Sequence, residues 1–201
     1  IGASWTSLFL AHGHPVRAYD PADGAEDRLR DYVKTAWPVM TELELTTNGD
    51  PDAITFCATA AEAVKGAAFI QESVPERLPI KHAIYAEIED AMGADAILSS
   101  SASGLTLSQM QNGWRDPARM VLGHPFNPPH LVPLVEVMGN EHTAEGAVER
   151  TEAIYKALGK VTIRVRKEVA GHVANRLQAA LWREAISLVS EGVTTVEDVD
   201  K

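Results

Sequence analysis

The chain has 201 residues, of which 45% are hydrophobic and 23% are charged, and its formal net charge at pH 7 is -10. This size allows one large domain and part of another, and the acidic balance argues against a protein that binds nucleic acid phosphates. The lone cysteine, Cys57, excludes an intrachain disulfide and favours a reducing, cytoplasmic setting. No apolar stretch is long enough to predict a membrane span or a secretory signal.

Short apolar runs alternate with longer amphipathic segments, a pattern typical of an α/β protein with a parallel sheet. The sequence predicts helices over 1–13, closing on Gly13, and over 24–45, 61–66, 75–92 with an early break at Pro79, and 144–159. The predicted strands are 15–20, 53–58, 67–73, 120–124, 131–139 and 160–166, and the segment 95–103 is predicted as a strand that runs into a hydroxyl-rich loop.

The pattern changes after Glu168. One long helix is predicted over 171–192, with apolar residues on more than one face, which is typical of a helix that packs between domains or subunits. We therefore expect an α/β domain over 1–168 and the start of an all-α domain over 169–201. The sequence starts at Ile1 without a methionine and ends where a new helix begins, so we expect it to be part of a longer protein.

An acidic residue at the end of the first predicted strand suggests a dinucleotide site. In a dinucleotide-binding βαβ unit, such a residue lies ~20 positions beyond a glycine-rich turn and binds the ribose 2′-hydroxyl. Asp20 stands 18 residues after Gly2, which would be the last glycine of that turn, with Ile1 beside it at the helix start. The earlier glycines would precede Ile1. A surface turn is the competing interpretation of Asp20; a carboxylate in a real site favours NAD over NADP.

An imidazole and a carboxylate flank the proline-rich stretch 123–139. His124 and Glu136 lie 12 residues apart on two late strands, where open α/β sheets bind ligands. A histidine there can remove a hydroxyl proton, and a carboxylate on its other nitrogen would fix the tautomer. The alternative is an ordinary core histidine and an unrelated glutamate.

Three motifs carry a family resemblance that covers nearly the whole chain. "SSSASGL", "GHPFNPPHLVPLVEVMG" and "GHVANRL" together resemble the 3-hydroxyacyl-CoA dehydrogenase superfamily, whose fold is Rossmann-like and doubly wound. "FIQESVPERL" and "ALWREAISLV" are most similar to its branch that oxidises small hydroxy acids, the L-carnitine 3-dehydrogenases, with the L-gulonate enzymes next. Two positions depart from the pattern, Pro125 where the acyl-CoA enzymes have an aromatic residue and Asn175 where the carnitine branch has aspartate.

The resemblance implies a role for each motif residue. His124 would be the general base, Glu136 its partner, Ser103 the group that binds the reacting oxygen, and Asn175 a substrate contact from the second domain. It further implies an NAD site with contacts to the nicotinamide half. The cofactor residues would be Ile1, Gly2, Asp20, Glu76, Lys81, Ser103 and Asn127.

The implied reaction is the NAD-dependent oxidation of the 3-hydroxyl of L-carnitine to 3-dehydrocarnitine by a homodimer. L-gulonate and a short 3-hydroxyacyl-CoA remain alternative substrates, and a crystallin-like structural protein or an NAD-binding sensor are the non-enzyme alternatives. An aromatic face could hold a quaternary ammonium and a cation could hold a carboxylate. The candidates are Trp114, Phe126, Trp182, Arg166, Lys167 and Arg183.

Two further clusters are given no catalytic role. Ser99, Ser100, Ser101 and Ser103 crowd one loop, and such a cluster is more typical of a solvated turn than of a nucleophile. No G-x-S-x-G elbow is present, which argues against a hydrolase. His12 and His14 have no nearby carboxylate or cysteine in the sequence, so we expect no metal site there.

Overall fold

The computed structural model describes residues 1–46 and 48–201. The strands are β1 (Val16–Ala18), β2 (Ile54–Phe56), β3 (Phe69–Glu72), β4 (Ile97–Ser100), β5 (Met120–Pro125), β6 (Leu134–Met138) and β7 (Val161–Arg164). The helices are α1 (Gly2–Ala11), α2 (Ala25–Glu42), α3 (Ala60–Val64), α4 (Leu78–Ile88), α5 (Leu107–Gln111), α6 (Ala147–Ala157), α7 (Ala174–Ser190) and α8 (Val196–Val199).

The strands form two groups of hydrogen-bonded neighbours. β1 pairs with β2 in parallel, and the larger sheet has the order β3-β4-β5-β6-β7. Its pairs are parallel except for β5 and β6, which run antiparallel. The predicted α/β fold with a mainly parallel sheet is confirmed, although the strands do not form one continuous sheet in the described part of the chain.

Helices cover both faces of the larger sheet. Leu98 and Met120 join the core cluster that holds residues of α4 and α5, whereas their strand neighbours Ile97 and Val121 pack with Ala147 of α6. Because alternate side chains of a strand point to opposite faces, both faces of these strands must be apolar. This explains why the central strands read as continuous apolar runs in the sequence.

The predicted break at Pro79 is wrong. α4 begins at Leu78, so Pro79 lies in the first turn of the helix rather than inside it. A proline is accommodated there because the first amide groups of a helix have no intrahelical acceptor.

The last long helix is shorter than predicted and is exposed. α7 begins at Ala174 rather than Gly171, because Gly171 and His172 both adopt left-handed backbone angles. None of its residues is buried in the described chain, and its large apolar side chains Leu177, Leu181, Trp182 and Ile186 face solvent.

Candidate active site

A cavity of about 350 Å³ collects most of the residues that the sequence analysis assigned to catalysis and cofactor binding. It lies where β4 and β5 end and α7 begins. The residues that line it are Ile1, Ser73, Val74, Glu76, Lys81, Ser101, Ala102, Ser103, His124, Pro125, Phe126, Asn127 and Asn175.

The structure brings His124 and Glu136 together. They face each other across the antiparallel β5–β6 pair, and His124 Nδ1 lies 2.7 Å from Glu136 Oε2. Both side chains are buried, the carboxylate completely. An ionised carboxylate only accepts hydrogen bonds, so Nδ1 donates and Nε2 of a neutral imidazole keeps a free lone pair. The pair can therefore take up one proton at Nε2.

The other oxygen of Glu136 faces the start of α7. Its Oε1 accepts the backbone N–H groups of Val173 and Ala174, each at 2.9 Å. Unpaired N–H groups at the beginning of a helix favour a negative charge. Glu136 thus remains well solvated by protein donors although no water reaches it.

Ser103 and Asn175 form a second contact between the sheet and α7. Asn175 Nδ2 donates a hydrogen bond of 2.8 Å to Ser103 Oγ. The serine hydroxyl then keeps its own proton for another acceptor. An oxygen atom of a ligand in the cavity is such an acceptor.

Glu76 binds the loop that carries Ser103. Its Oε1 accepts the backbone N–H groups of Ser103 at 2.8 Å, Leu105 at 2.9 Å, and Gly104. Partial burial raises the pKa of the Glu76 carboxyl, but these N–H groups and the charge of Lys81 outweigh burial and hold the pKa below its ordinary value. Glu76 is therefore an anion that orders the loop.

Lys81 lies at the cavity wall, but its ammonium group is already paired. Its Nζ contacts Glu72 Oε1 at 2.7 Å and Oε2 at 2.9 Å, and both side chains are buried. Tyr85 and Ser100 also donate to Glu72. Because removal of one partner would leave an uncompensated buried charge, we expect loss of either member of this pair to destabilise the cavity wall.

The remaining predicted cofactor residues lie partly in the cavity and partly outside it. Asn127 and Ile1 line the cavity, and Gly2 is the first residue of α1. Asp20 lies beyond the end of β1 and outside the cavity, and its Oδ1 accepts the N–H of Ala22 at 2.9 Å. This bond is the turn contact that the competing interpretation of Asp20 expects.

Two buried residues near the site were missed by the sequence analysis. Glu72 gave a signal, a carboxylate at the end of an apolar strand, whereas His172 was only part of a motif. His172 is 1% exposed, and its ring centroid lies 5.2 Å from that of His124.

The predicted solvated turn at Ser99 and Ser100 is wrong. Both are fully buried in β4, where Ser99 Oγ lies 2.7 Å from the Tyr155 hydroxyl and Ser100 donates to Glu72. Each hydroxyl is tolerated inside because it has a buried polar partner.

Of the residues considered for holding a charged substrate, Phe126 lines the cavity and lies edge-on to His124 at 5.0 Å. Trp114 is not at the site, because it is stacked on Tyr85 in the core. The others are exposed and do not line the cavity: Arg166, Lys167, Trp182 and Arg183.

Over residues 1–46 and 48–201, no three histidine, cysteine or carboxylate side chains lie close enough together to hold a metal ion. None of the helices in this part of the chain has the length and apolar character needed to cross a membrane.

A mainly parallel sheet covered by helices, with a cavity at the carboxyl ends of β4 and β5, defines a nucleotide-binding α/β protein. Family models identify it further. Residues 1–169 match the NAD binding domain of 3-hydroxyacyl-CoA dehydrogenase, and residues 171–201 match the C-terminal domain of the same enzymes. The chain belongs to the 3-hydroxyacyl-CoA dehydrogenase family.

Curated relatives match over the whole chain. The L-carnitine dehydrogenase of Streptomyces coelicolor is 46% identical and that of Pseudomonas putida 48% identical, both over 200 residues and 100% of this chain. The chain spans 63% and 62% of the length of these two relatives.

Solved structures share the fold. An NAD⁺-dependent 5-formyl-3-hydroxy-2-methylpyridine 4-carboxylic acid 5-dehydrogenase superimposes with a TM-score of 0.91 at 35% identity, covering 100% of this chain and 65% of that one. A 3-hydroxybutyryl-CoA dehydrogenase from Escherichia coli has a TM-score of 0.86 at 23% identity, covering 96% and 42%.

Proposed function

We propose that the full-length protein oxidises the 3-hydroxyl group of L-carnitine to 3-dehydrocarnitine with NAD as its cofactor. The observation that carries this proposal is the buried His124–Glu136 pair at the wall of a cavity that Ser103 and Asn175 also line. The names of the relatives that match the whole chain support the choice of substrate.

The residues present fit a dinucleotide. α1 begins without a side-chain cap and without an acidic residue in its first turn, so its free amide groups can face a phosphate. Gly2 and Asp20 are exposed, and Ile1, Glu76 and Asn127 line the adjoining cavity. These residues would hold NAD, which when bound supplies the hydride acceptor.

His124 acts as the general base. Its Nε2 takes the proton of the substrate hydroxyl as the hydride leaves the same carbon, and the C–O bond becomes a carbonyl. Glu136 holds the proton on Nδ1, so the tautomer is correct before the reaction, and it stabilises the imidazolium afterwards. Ser103, held by Asn175, donates its hydroxyl proton to the reacting oxygen.

The substrate proposal has a physical basis in charge. The net charge of -10 favours a cationic or zwitterionic ligand over the phosphates of an acyl-CoA. Phe126 presents an aromatic ring in the cavity beside the base, and an aromatic face attracts a quaternary ammonium group by about 0.5–2 kcal/mol.

The substrate is tested by adding L-carnitine, L-gulonate or 3-hydroxybutyryl-CoA to the full-length protein with NAD⁺ and following NADH absorbance at alkaline pH. Turnover with L-carnitine alone is the expected result. Turnover with gulonate or the thioester instead would be consistent with His124 as the base but would contradict L-carnitine as the substrate. Binding of NADH without any turnover would favour a sensor, and no binding at all a structural protein.

His124→Ala tests the base directly. We expect kcat to fall roughly 10²–10⁴-fold, because proton removal loses its positioned acceptor, while the Kd for NADH stays unchanged. His142→Ala is the matched control, since His142 is exposed and does not line the cavity. An unchanged kcat in His124→Ala would remove His124 from the mechanism.

We also propose that the full-length protein is a homodimer. The exposed apolar side chains of α7, which include Leu177, Leu181 and Ile186, are each more than 60% exposed in the single chain. Large apolar patches of this kind are typical of interfaces. Sedimentation equilibrium of the full-length protein measures its mass in solution, and a monomer would contradict the proposal.

A further inference from the structure

His172 lies in an unusual turn just before α7. Gly171 and His172 have φ values of 76° and 49°, both in the left-handed region, and His172 is 1% exposed. A non-glycine residue adopts this conformation at a cost, so its surroundings must hold it there. The next two residues, Val173 and Ala174, are the ones whose N–H groups bind Glu136.

The imidazole of His172 contacts two parts of the candidate site. Its ring is tilted 52° against the ring of His124, with centroids 5.2 Å apart. Its Nε2 lies 3.4 Å from the carbonyl oxygen of Ala102, the residue before Ser103. One side chain therefore touches the base and the loop that carries the hydroxyl for the reacting oxygen.

The contacts define which nitrogen carries the proton. A carbonyl oxygen can only accept, so Nε2 of His172 must be the donor. Its Nδ1 is buried and has no hydrogen-bond partner in the described part of the chain. Burial lowers the pKa of His172; the Ala102 carbonyl opposes this, His124 adds to it, and Glu136 and Glu76 oppose it, with a net lowering. The ring is therefore neutral at pH 7.

We propose that His172 is a positioning residue that fixes the relative positions of Ser103 and His124. It does so through its hydrogen bond to the Ala102 carbonyl and through its ring contact with His124. The proposal deepens the function proposed above and rests on it for its kinetic readout. It predicts that His172 affects the chemical step more strongly than cofactor binding, because its ring lies against the base, whereas only the serine loop is shared with the predicted cofactor site.

The kinetic test compares His172→Phe with His172→Gln in the full-length protein. Phenylalanine keeps a ring and loses the donor, whereas the glutamine amide can place an N–H near the former Nε2. A small misplacement of reacting groups can cost up to ~10²-fold in rate, so we expect kcat to fall roughly 10–100-fold in His172→Phe. We expect His172→Gln to recover most of that loss, with the Kd for NADH unchanged in both. His142→Phe is the control for adding a ring at an exposed histidine.

Two kinetic results would overturn the proposal. Equal kcat values for wild type and His172→Phe would show that the relative positions of Ser103 and His124 do not depend on this side chain. Equal losses of kcat, NADH binding and thermal stability in both variants would show a role in folding alone.

A second measurement does not require turnover. In the ¹⁵N spectrum of the wild-type protein at pH 7, we expect the His172 imidazole in the neutral form with the proton on Nε2. A cationic ring or the opposite tautomer would contradict the proposal. If the wild type oxidises none of the hydroxy acids, the proposed function fails, and this spectrum still tests the contact with Ala102.

Discussion

At the scale of single residues, Glu136 serves two partners with two oxygens. Oε2 faces His124 Nδ1 and Oε1 faces the amide groups of Val173 and Ala174. An ionised carboxylate can accept in all of these contacts at once. The tautomer of His124 therefore depends on whether the fully buried Oε2 of Glu136 accepts from Nδ1.

This dependence gives a test with an isosteric variant. In Glu136→Gln, the amide oxygen can still accept from Val173 and Ala174, but the amide NH₂ then faces His124. His124 Nδ1 must become the acceptor and Nε2 must carry the proton, which removes the base. We expect kcat to fall roughly 10³–10⁴-fold, as when a triad carboxylate becomes an amide, while the Kd for NADH changes little.

The measurement is steady-state kinetics on the full-length protein beside a fluorescence titration with NADH. Glu141→Gln is the matched control, because Glu141 is exposed and lies on the loop that follows β6. A Glu136→Gln variant with full turnover would contradict a role for the carboxylate in fixing the tautomer.

At the scale of elements, β5 depends on a residue without a side chain. A Cβ built at Gly123 would collide with the Tyr155 hydroxyl and with Ser99 Oγ. These two hydroxyls lie 2.7 Å apart, and Tyr155 donates to Gln71 Oε1 at 2.7 Å. Gly123 thus leaves space for a buried polar network on the face of β5 opposite to the side chain of His124.

Gly123→Ala should therefore destabilise the fold. We expect the free energy of unfolding to fall by about 1–3 kcal/mol, because the added methyl group must displace Tyr155 from its hydrogen bonds. Gly93→Ala is the control: nothing lies within 4 Å of its Cβ position, and we expect a change within about 0.5 kcal/mol. Urea denaturation measures both, and equal stabilities of the two variants would contradict the packing argument.

The same elements show what the sequence could and could not reveal. β5 and β6 were predictable because both are runs of buried apolar residues. Their antiparallel pairing was not, since the connection 126–133 contains prolines and has no short hairpin signature. Ser99 and Ser100 resembled a loop because their partners, Tyr155 and Glu72, are distant in sequence.

Within the candidate site, most of the residues named by a motif lie together. His124, Ser103, Glu76, Lys81, Asn127 and Asn175 all line the cavity. The roles of these residues stay predictions. Prediction failed for contacts made through the backbone. Neither the N–H groups of Val173 and Ala174 on Glu136 nor the Ala102 carbonyl beside His172 leaves a mark in the sequence.

At the scale of the whole molecule, the buried side chain of Lys160 connects β7, the last strand, with α1, the first helix. Lys160 is 6% exposed, its Nζ donates to the carbonyls of Pro129 and Val132, and it lies 5.6 Å from the ring of Trp5 on α1. It therefore links the start of β7 to α1 and to the loop that carries Asn127. Burial lowers its pKa to about 8.

This shift predicts how stability changes with pH. Between pH 8 and 10.5 the folded protein has released the Lys160 proton while the unfolded chain still binds it, so stability from this group rises with pH. The rise is at most about 3 kcal/mol. We therefore expect the free energy of unfolding of the wild type, measured relative to that of Lys160→Met, to rise by up to this amount between those pH values. Urea unfolding at several pH values measures the difference.

Lys167→Met is the control for Lys160→Met, since Lys167 is exposed. We expect the difference in the free energy of unfolding between Lys167→Met and wild type to stay constant over this pH range. A constant difference for Lys160→Met as well would show that the Lys160 ammonium is not destabilised in the folded protein.

The double role of Glu136 also limits how this chain can change over generations. A substitution that removes both carboxyl oxygens of Glu136 alters the proton on His124 and the contacts with the first turn of α7 in a single step. We therefore expect β6 and α7 to change together in evolution, and a transplanted α7 to keep these contacts only on a sheet that supplies an acceptor oxygen at this position.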